Sequence, residues 1–570
     1  MDLASSSRSS KTILPHNWVS VPLSSLLTTL ESGSRPRGGV NGISSGVPSI
    51  GGEHLQADGG FNFTNIRYVP LDFAAKMNRG QIAVGDVLVV KDGATTGKVS
   101  FVRSGFPEPA VVNEHVFIAR PSPQLVSAYL FYYLYSPAGR DGIMLDFRGA
   151  AQGGISQSFV DKVIVPLAPF LEQHRIVAEI ERQFSLLDAG VANLKRVQAN
   201  LKRYSASVLQ AACTGQLVPT EAELAQAEGR AYEPADVLLT RILAERRARW
   251  EAEQLAKLEA QGKLPLNEAW KAKYQELAVP NTNGLSELPV GWIWVTLNHL
   301  LYGIEAGKSY KCLTRPAEKN EWGIIKVSAM SWGNFIESEN KATPLGHLID
   351  ERYEIRPSDI LLSRSNTFDL VGASVFVEHC RPKLLLSDKS MRLLANAFVN
   401  RKWIHTVLSS ATLRHSISGL ATGTSDSMRN ISQDKVLGLH IALSPLVEQE
   451  RIVAEVERRL SVVDNLEHVI KVNLKRAERL RQAILKEAFA GRLVPQDPAD
   501  EPAGVLLERI KAEREAQAAV KAGRRKEITN GKHGHDDAVG TAVPSGHARR
   551  KRRTADEARL QPDLFSPDGR

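Results

Sequence analysis

The chain has 570 residues, room for three to four domains at roughly 150 residues each. Its 43% hydrophobic and 24% charged residues, with 42 Gly and 28 Pro, exclude collagen-like, mucin-like and wholly disordered chains. The formal charge of +9 is uneven: residues 521–570 hold 12 Lys and Arg against 7 Asp and Glu, which makes the tail the one markedly basic block. Cys213, Cys312 and Cys380 are too few and too far apart for a disulfide framework or a zinc site. No apolar run reaches the roughly 18 residues of a membrane span, and the first residues lack a signal-peptide core. The expected compartment is the cytoplasm.

In chain order, residues 11–165 read as a mixed domain of short strands, such as Val87–Val90, punctuated by Gly, Pro and Asn. A polar loop, SGSRPRGG, holds Arg35 and Arg37; a second, KDGATTGK, follows the strand and holds Lys91, Thr95, Thr96 and Lys98. Arg148 and Gln152 lie near the domain's end. Flexible backbone beside Arg, Lys, Thr and Gln suits contacts to phosphates and base edges, so these residues are expected to bind DNA. The second loop is not a nucleotide-binding loop, because only three residues separate Gly93 from Gly97 and Val99 stands where a magnesium-binding Ser or Thr belongs. Dinucleotide, HExxH and GxSxG signatures are likewise missing.

A long helix is expected next. From Ile180 a seam runs through Phe184, Leu187, Val191, Leu194, Leu201 and Val208 at 3–4 spacing, with Gln198 and Ser205 as polar interruptions. Pro169 and Glu172 suit its first turn, and Gly215 with Pro219 stops it. About 45 residues at 1.5 Å give a rod of roughly 65 Å, expected to hold its flanking domains apart. A further helical stretch and a linker complete residues 166–284.

Residues 285–441 form a second mixed domain, with Lys308 and Lys311 in an early loop, Arg364 and Asn366 after the strand Ile360–Leu362, and Arg429 near the end. Residues 442–520 hold a second long helix with the seam Val456, Leu460, Val463, Ile470, Leu474, Ala477 and Ile484, which Glu467 and Arg481 are expected to break. Residues 521–570 have the composition of a disordered tail, including Arg549–Arg553.

The chain is written twice. A shift of 276 residues lays Val165–Pro219 on Ile441–Pro495 with 21 of 55 positions identical, while the preceding domains diverge. The shared residues Glu172, Gln173 and Arg175, with Glu448, Gln449 and Arg451, are expected to contact partners. Paired seams within one chain imply an antiparallel coiled coil. The fold class is α+β: two mixed α/β domains separated by a pair of long antiparallel coiled-coil helices, with an internal pseudo-twofold repeat and a disordered basic tail.

A variable domain, a PLxEQxRI-type helix start (Pro169-Phe-Leu-Glu-Gln-His-Arg-Ile176, Pro445-Leu-Val-Glu-Gln-Glu-Arg-Ile452), a helix ending in G-x-LVP, and the same again resemble the specificity subunit of Type I restriction-modification enzymes over residues 14 to 520. The resemblance implies two target recognition domains that each read half of a bipartite site in double-stranded DNA, and helices that set the spacer and dock two modification (methyltransferase) subunits. Restriction (motor-nuclease) subunits join that complex. It also implies no catalytic site and no cofactor in this chain, with S-adenosylmethionine, ATP and Mg belonging to partner subunits. The alternatives are a coiled-coil scaffold without DNA specificity, or a cryptic DNA-modifying enzyme. Outside the resemblance, Gln561-Pro-Asp-Leu-Phe565 looks like the short peptide that docks on the bacterial sliding clamp.

Overall fold

A computed structural model describes residues 14–149, 153–263, 265, 267–330, 333–344, 349–425 and 428–531. The chain divides into two compact units, Met1–Glu181 together with Ile484–Arg570, and Arg182–Ala483. The boundaries fall inside the two long helices, Phe170–Cys213 and Leu446–Phe489. Each unit thus combines one mixed domain, the start of the helix that follows it and the end of the other helix.

The mixed domain of the first unit has a four-stranded antiparallel sheet in the order Leu27–Ser32, Val116–Pro121, Val87–Val90, Val99–Phe101. A three-stranded sheet, Arg67–Val69, Val47–Ile50, Val111–Val112, lies beside it. In the second unit the mixed domain repeats the topology although its sequence differs. Its sheets are Leu301–Ala306, Ser390–Ala395, Ile360–Ser363, Ser374–Phe376 and Asn340–Ala342, Gly323–Ile325, Leu384–Leu385. In each domain the strand that enters pairs with the strand that leaves for the long helix: Val19–Pro22 with Ile164–Leu167, and Ile293–Thr296 with His440–Leu443. The strands that follow Trp18 and Trp292 therefore close the neck of each domain as a two-stranded sheet.

At each neck a buried tryptophan meets a buried carboxylate. In the first unit Trp18 Nε1 donates to Glu172 Oε2 at 2.9 Å, and Gln496 donates to Oε1 at 2.5 Å. In the second, Trp292 Nε1 donates to Glu448 Oε1 at 3.0 Å, and the backbone N–H of Glu221 donates to Oε2 at 2.9 Å. Burial pushes both carboxyls above their usual range, and these donors oppose it. Gln173 accepts from the Val126 N–H and donates to the Ala168 carbonyl; Gln449 accepts from Asn400 and donates to Ser444. Arg175 pairs with Asp500, and Arg451 with Glu221, each at 2.5 Å.

These contacts correct the expectation that the six motif residues face partners. Glu172, Gln173, Glu448 and Gln449 are fully buried, and the two arginines are committed to ion pairs inside the chain. Their job is to seat the returning segment on the neck. The G-x-LVP glycines serve the same close approach. Gly215 and Gly491 have φ of +69° and +70°, and a Cβ there would lie 2.5 Å from Pro289 and 2.3 Å from Pro15.

Within the second unit the long helices run antiparallel. Val208 and Ala212 share a core with Ile452, Val453 and Val456, whereas Phe184 and Asp188 meet Arg481. The expected seam of the first helix is covered at every position, Gln198 and Ser205 included. Arg481 does not break the opposite seam: its guanidinium lies over the Phe184 ring at 4.7 Å and pairs with Asp188, so its stem and charge both find partners. Glu467 is half-buried at its seam position. The final helix, Ala503–Gly531, continues past residue 521, where composition predicts order to end. Arg549–Arg553 and Gln561–Phe565 lie outside the described residues.

The neck contacts set a stability expectation. Glu448→Gln turns an amide NH2 toward a donor and leaves a buried donor unmet, at a cost of about 1–3 kcal/mol. Trp292→Phe removes the indole donor and is expected to cost a similar amount. Urea unfolding of each variant checks this, and an unchanged midpoint would show that the junction is dispensable.

Candidate nucleic-acid interface

The loops of each mixed domain that hold Arg, Lys and Asn meet at one edge. In the first domain, backbone bonds lay the segment after Leu27–Ser32 on the turn before Val116–Pro121: the Gly33 N–H donates to the Asn113 carbonyl at 3.1 Å. Only glycine fits, since a Cβ on Gly33 would lie 1.6 Å from the Val112 oxygen. The Lys91 N–H donates to the His115 carbonyl at 2.8 Å, and isolated bridges join Asp92 and Arg148 to Gly154. Four separate segments thereby bring Arg35, Lys91, Arg148, Asp92, Glu114 and His115 together.

Side chains connect this cluster. Arg35 Nε is 3.1 Å from Glu114 Oε2, His115 Nε2 is 3.3 Å from Glu114 Oε1, and His115 Nδ1 is 2.5 Å from Asp92 Oδ1. Arg37 and Thr95 are exposed nearby in sequence, and Lys91 Nζ sits 5.8 Å from the Phe117 ring. Two expected contacts prove internal. The Thr96 hydroxyl is buried and donates to the Gly93 carbonyl at 2.7 Å, and Lys98 Nζ donates to the Leu55 carbonyl at 2.9 Å. The Thr96 hydroxyl closes the loop on itself, and Lys98 ties the loop to the segment at Leu55. Gln152 lies outside the described residues.

The segment carrying Arg148 is pinned at its base. Asp146, fully buried, accepts from the Ser156 N–H and hydroxyl at 2.8 and 2.7 Å, from Ser158 at 3.0 Å and from Lys162 at 2.5 Å. Burial alone would raise its carboxyl, but these donors together hold it well below the usual carboxylate range.

The second domain presents a different set at the corresponding edge. Lys308 bridges to Ser387, and its Nζ is 3.5 Å from Asp350 and 5.3 Å from the Tyr353 ring. The Arg364 N–H donates to the Lys389 carbonyl at 2.8 Å. Ser365–Asn366 pairs with Met428–Asn430 in a small sheet whose register sets Asn366 opposite Arg429. The Arg429 guanidinium lies 5.7 Å from the Phe368 ring. Arg364 and Lys389 are exposed, as is Lys311 on the loop with Lys308.

Sequence reasoning missed Asp92, Glu114 and His115 in the first domain and Phe368, Asp388 and Lys389 in the second. A signal was present: each half has a polar stretch that follows an apolar run and precedes a strand, VV-NEH-VF and LL-SDKS-M, although residue identity does not align them.

The helix pair has two unlike edges. One residue before some of the seam positions stand Leu186, Val197 and Tyr204 on the first helix and Val462, Leu466, Val469 and Leu480 on the second, all at least 42% exposed, interspersed with polar residues such as Asn193, Asn200, Arg459 and Asn473. One residue after stand Asp188, Lys195 and Lys202, and Asp464, Lys471 and Glu478. Arg459, on this edge of the second helix, lies close enough to Tyr204 to interact with it, so these edges of the two helices lie on the same side of the pair. Clustered exposed apolar residues such as Val462, Leu466 and Val469 suit an interaction surface.

No family model matches the sequence. The chain is 27% identical over 371 residues to the Type I restriction enzyme EcoEI specificity subunit of Escherichia coli, covering 61% of this chain and 62% of that one. It therefore spans less than two thirds of that relative. It is 22% identical over 526 residues to the EcoKI specificity subunit of Escherichia coli strain K12, covering 90% of this chain and 99% of that one. A chain solved in work on complex assembly and conformational transition of the type I R-M system superposes with a TM-score of 0.57 at 18% identity, covering 84% of this chain and all of the other. That likeness establishes the fold.

The low pKa of Asp146 gives a pH test. A carboxylate depressed in the folded state contributes stability that is complete above its unfolded pKa near 3.9 and fades as pH falls toward its folded value. The stability gap between the natural chain and Asp146→Asn is therefore expected to stay level from about pH 7 to 5 and to shrink below about pH 4. Denaturation at each pH measures it; a gap that narrows between pH 7 and 5 would contradict the assignment.

Proposed function

We infer that this chain is a specificity subunit of the Type I restriction enzymes, the member of such a complex that recognises DNA sequence. Each mixed domain reads one half of a bipartite site in double-stranded DNA. The observation that carries this reading is that two domains of one topology present unlike side chains at the same edge. In the first domain these are Arg35, Glu114, His115 and Arg148; in the second they are Lys308, Arg364, Asn366 and Arg429. A reader needs a fixed scaffold and variable base contacts, and this division supplies both.

In this reading the subunit performs no chemistry. It directs two modification subunits that use S-adenosylmethionine to methylate adenine, and restriction subunits that use ATP and Mg join the same complex in the cytoplasm. The apolar edge of the helix pair supports docking of modification subunits there, because a partner helix laid along Leu466 and Val469 would remove exposed apolar surface from water.

Three experiments test the proposal. Sequencing of methylated DNA from cells expressing the modification subunit with and without this chain is expected to reveal a bipartite motif only when the chain is present. Replacing residues 11–165 by another such domain is expected to change one half of that motif and leave the other; a change in both halves counts against independent readers. Leu466→Asp with Val469→Asp is expected to lower co-purification with the modification subunit at least 10-fold without lowering the melting temperature, since both side chains are solvent-facing in the isolated chain. Undiminished co-purification would move the docking site elsewhere.

A further inference from the structure

We propose that Arg35 and Glu114 act together to read a single G·C base pair in the half-site of the first domain, the guanidinium on guanine and the carboxylate on cytosine. This rests on the reading of the chain as a DNA-recognition subunit and names the bases that one part of the site takes.

In the major groove a G·C pair presents two acceptors, guanine N7 and O6, followed by one donor, the cytosine N4 amine. A reader of the whole pair therefore needs two donors beside one acceptor. Arg35 and Glu114 supply that order. Their contact uses Nε of the guanidinium, at 3.1 Å from Oε2, which leaves the two terminal nitrogens for N7 and O6. Glu114 Oε2 is buried and makes no hydrogen bond, whereas Oε1, 3.3 Å from His115 Nε2, keeps a second lone pair with which to accept from the cytosine amine. An A·T pair alternates acceptor, donor, acceptor and ends in a methyl group, and it matches this set poorly.

The presence of an acid at this edge favours bases over phosphates. Beside a phosphate, Glu114 and Asp92 would add repulsion, whereas a base amine gives a carboxylate a donor. The pair is also held in place. His115 bridges Glu114 Oε1 and Asp92 Oδ1 at 3.3 and 2.5 Å, which holds the carboxylate in place. The backbone bond from Gly33 to Asn113 lays the Arg35 loop on the Glu114 turn, and the His115 N–H donates to the Asn113 side chain at 2.9 Å, which fixes that turn. Both side chains remain accessible, at 30% and 40% exposure. The second domain has Asp388 and Lys389 at the matching turn, so the pairing belongs to one half-site only.

The test uses the full chain co-expressed with its modification subunit, with the methylated motif read genome-wide for the natural chain, Glu114→Gln, Arg35→Gln and Arg35→Lys. The natural motif is expected to contain a G·C pair that both Gln variants relax, discrimination at that position falling about 10-fold or more while the other half-site is unchanged. Arg35→Lys keeps the charge and loses the two-pronged donor, so it is expected to relax the same position with methylation elsewhere near normal; it decides the case if either Gln variant melts early. Three outcomes overturn the proposal: an unchanged motif in all variants, relaxation at different positions for Arg35 and Glu114, or a uniform loss of methylation at every site. A natural chain that yields no bipartite motif removes the DNA-recognition reading itself, and the base-pair assignment with it.

Discussion

A carboxylate withdrawn from water must be met by donors, and much of this fold is organised around meeting two of them. Glu172 and Glu448 are fully buried at the first turn of their long helices, where the helix dipole favours a negative charge but cannot replace hydration. The donors come from far away in sequence: an indole from the entry to each domain, and an amide or backbone N–H from the segment that returns after a long helix. One residue therefore ties three parts of the chain together. Removing one donor from such a junction leaves a buried polar group unmet, at about 1–3 kcal/mol. This explains why a short polar motif stays the same in two halves that otherwise diverge.

With the neck fixed, the loops at the reading edge are free to differ. The sheets behind them keep the same strand order in both domains, and backbone bonds at Gly33 and Gly307 bring the same pair of loops together. Glycine is required because a Cβ at either position would enter the opposing main chain, at 1.6 Å from Val112 and 2.3 Å from Ser387. The backbone frame is thus separable from the chemistry it displays. A carboxylate, an imidazole and guanidinium groups occupy the edge of the first domain; lysines, an asparagine and arginines occupy the edge of the second. Two recognitions can then change independently while the scaffold stays intact.

The helix pair divides its faces in the same economical way. The seam holds the helices together, one flank carries charges, and the other mixes exposed apolar residues such as Leu466 and Val469 with polar ones. Arg481 shows why a polar residue at a seam position need not weaken the pairing. Its aliphatic stem fills the seam, its planar head covers Phe184 and its charge meets Asp188 at the rim.

The α+β class, the repeat and the helix seams were legible in the sequence because each depends on near-neighbour periodicity or on similarity between two halves. Most of the polar loops that gather at this edge of each domain were legible too, from Gly-rich backbone beside Arg, Lys and Asn. The roles of Glu172, Gln173 and their counterparts were not, because a charged residue on a helix carries no mark of whether a distant tryptophan will cover it. Thr96 and Lys98 were misread for the same reason, since the carbonyls that accept from them are supplied by the folded loop and by Leu55. Glu114 and His115 were overlooked because their neighbours Arg35 and Asp92 arrive from other strands. The sequence by itself determined the periodicity, the duplication and the composition of the loops. Only the tertiary structure decided which charges are buried, which are paired and which face outward, because those outcomes depend on contacts between segments tens to hundreds of residues apart.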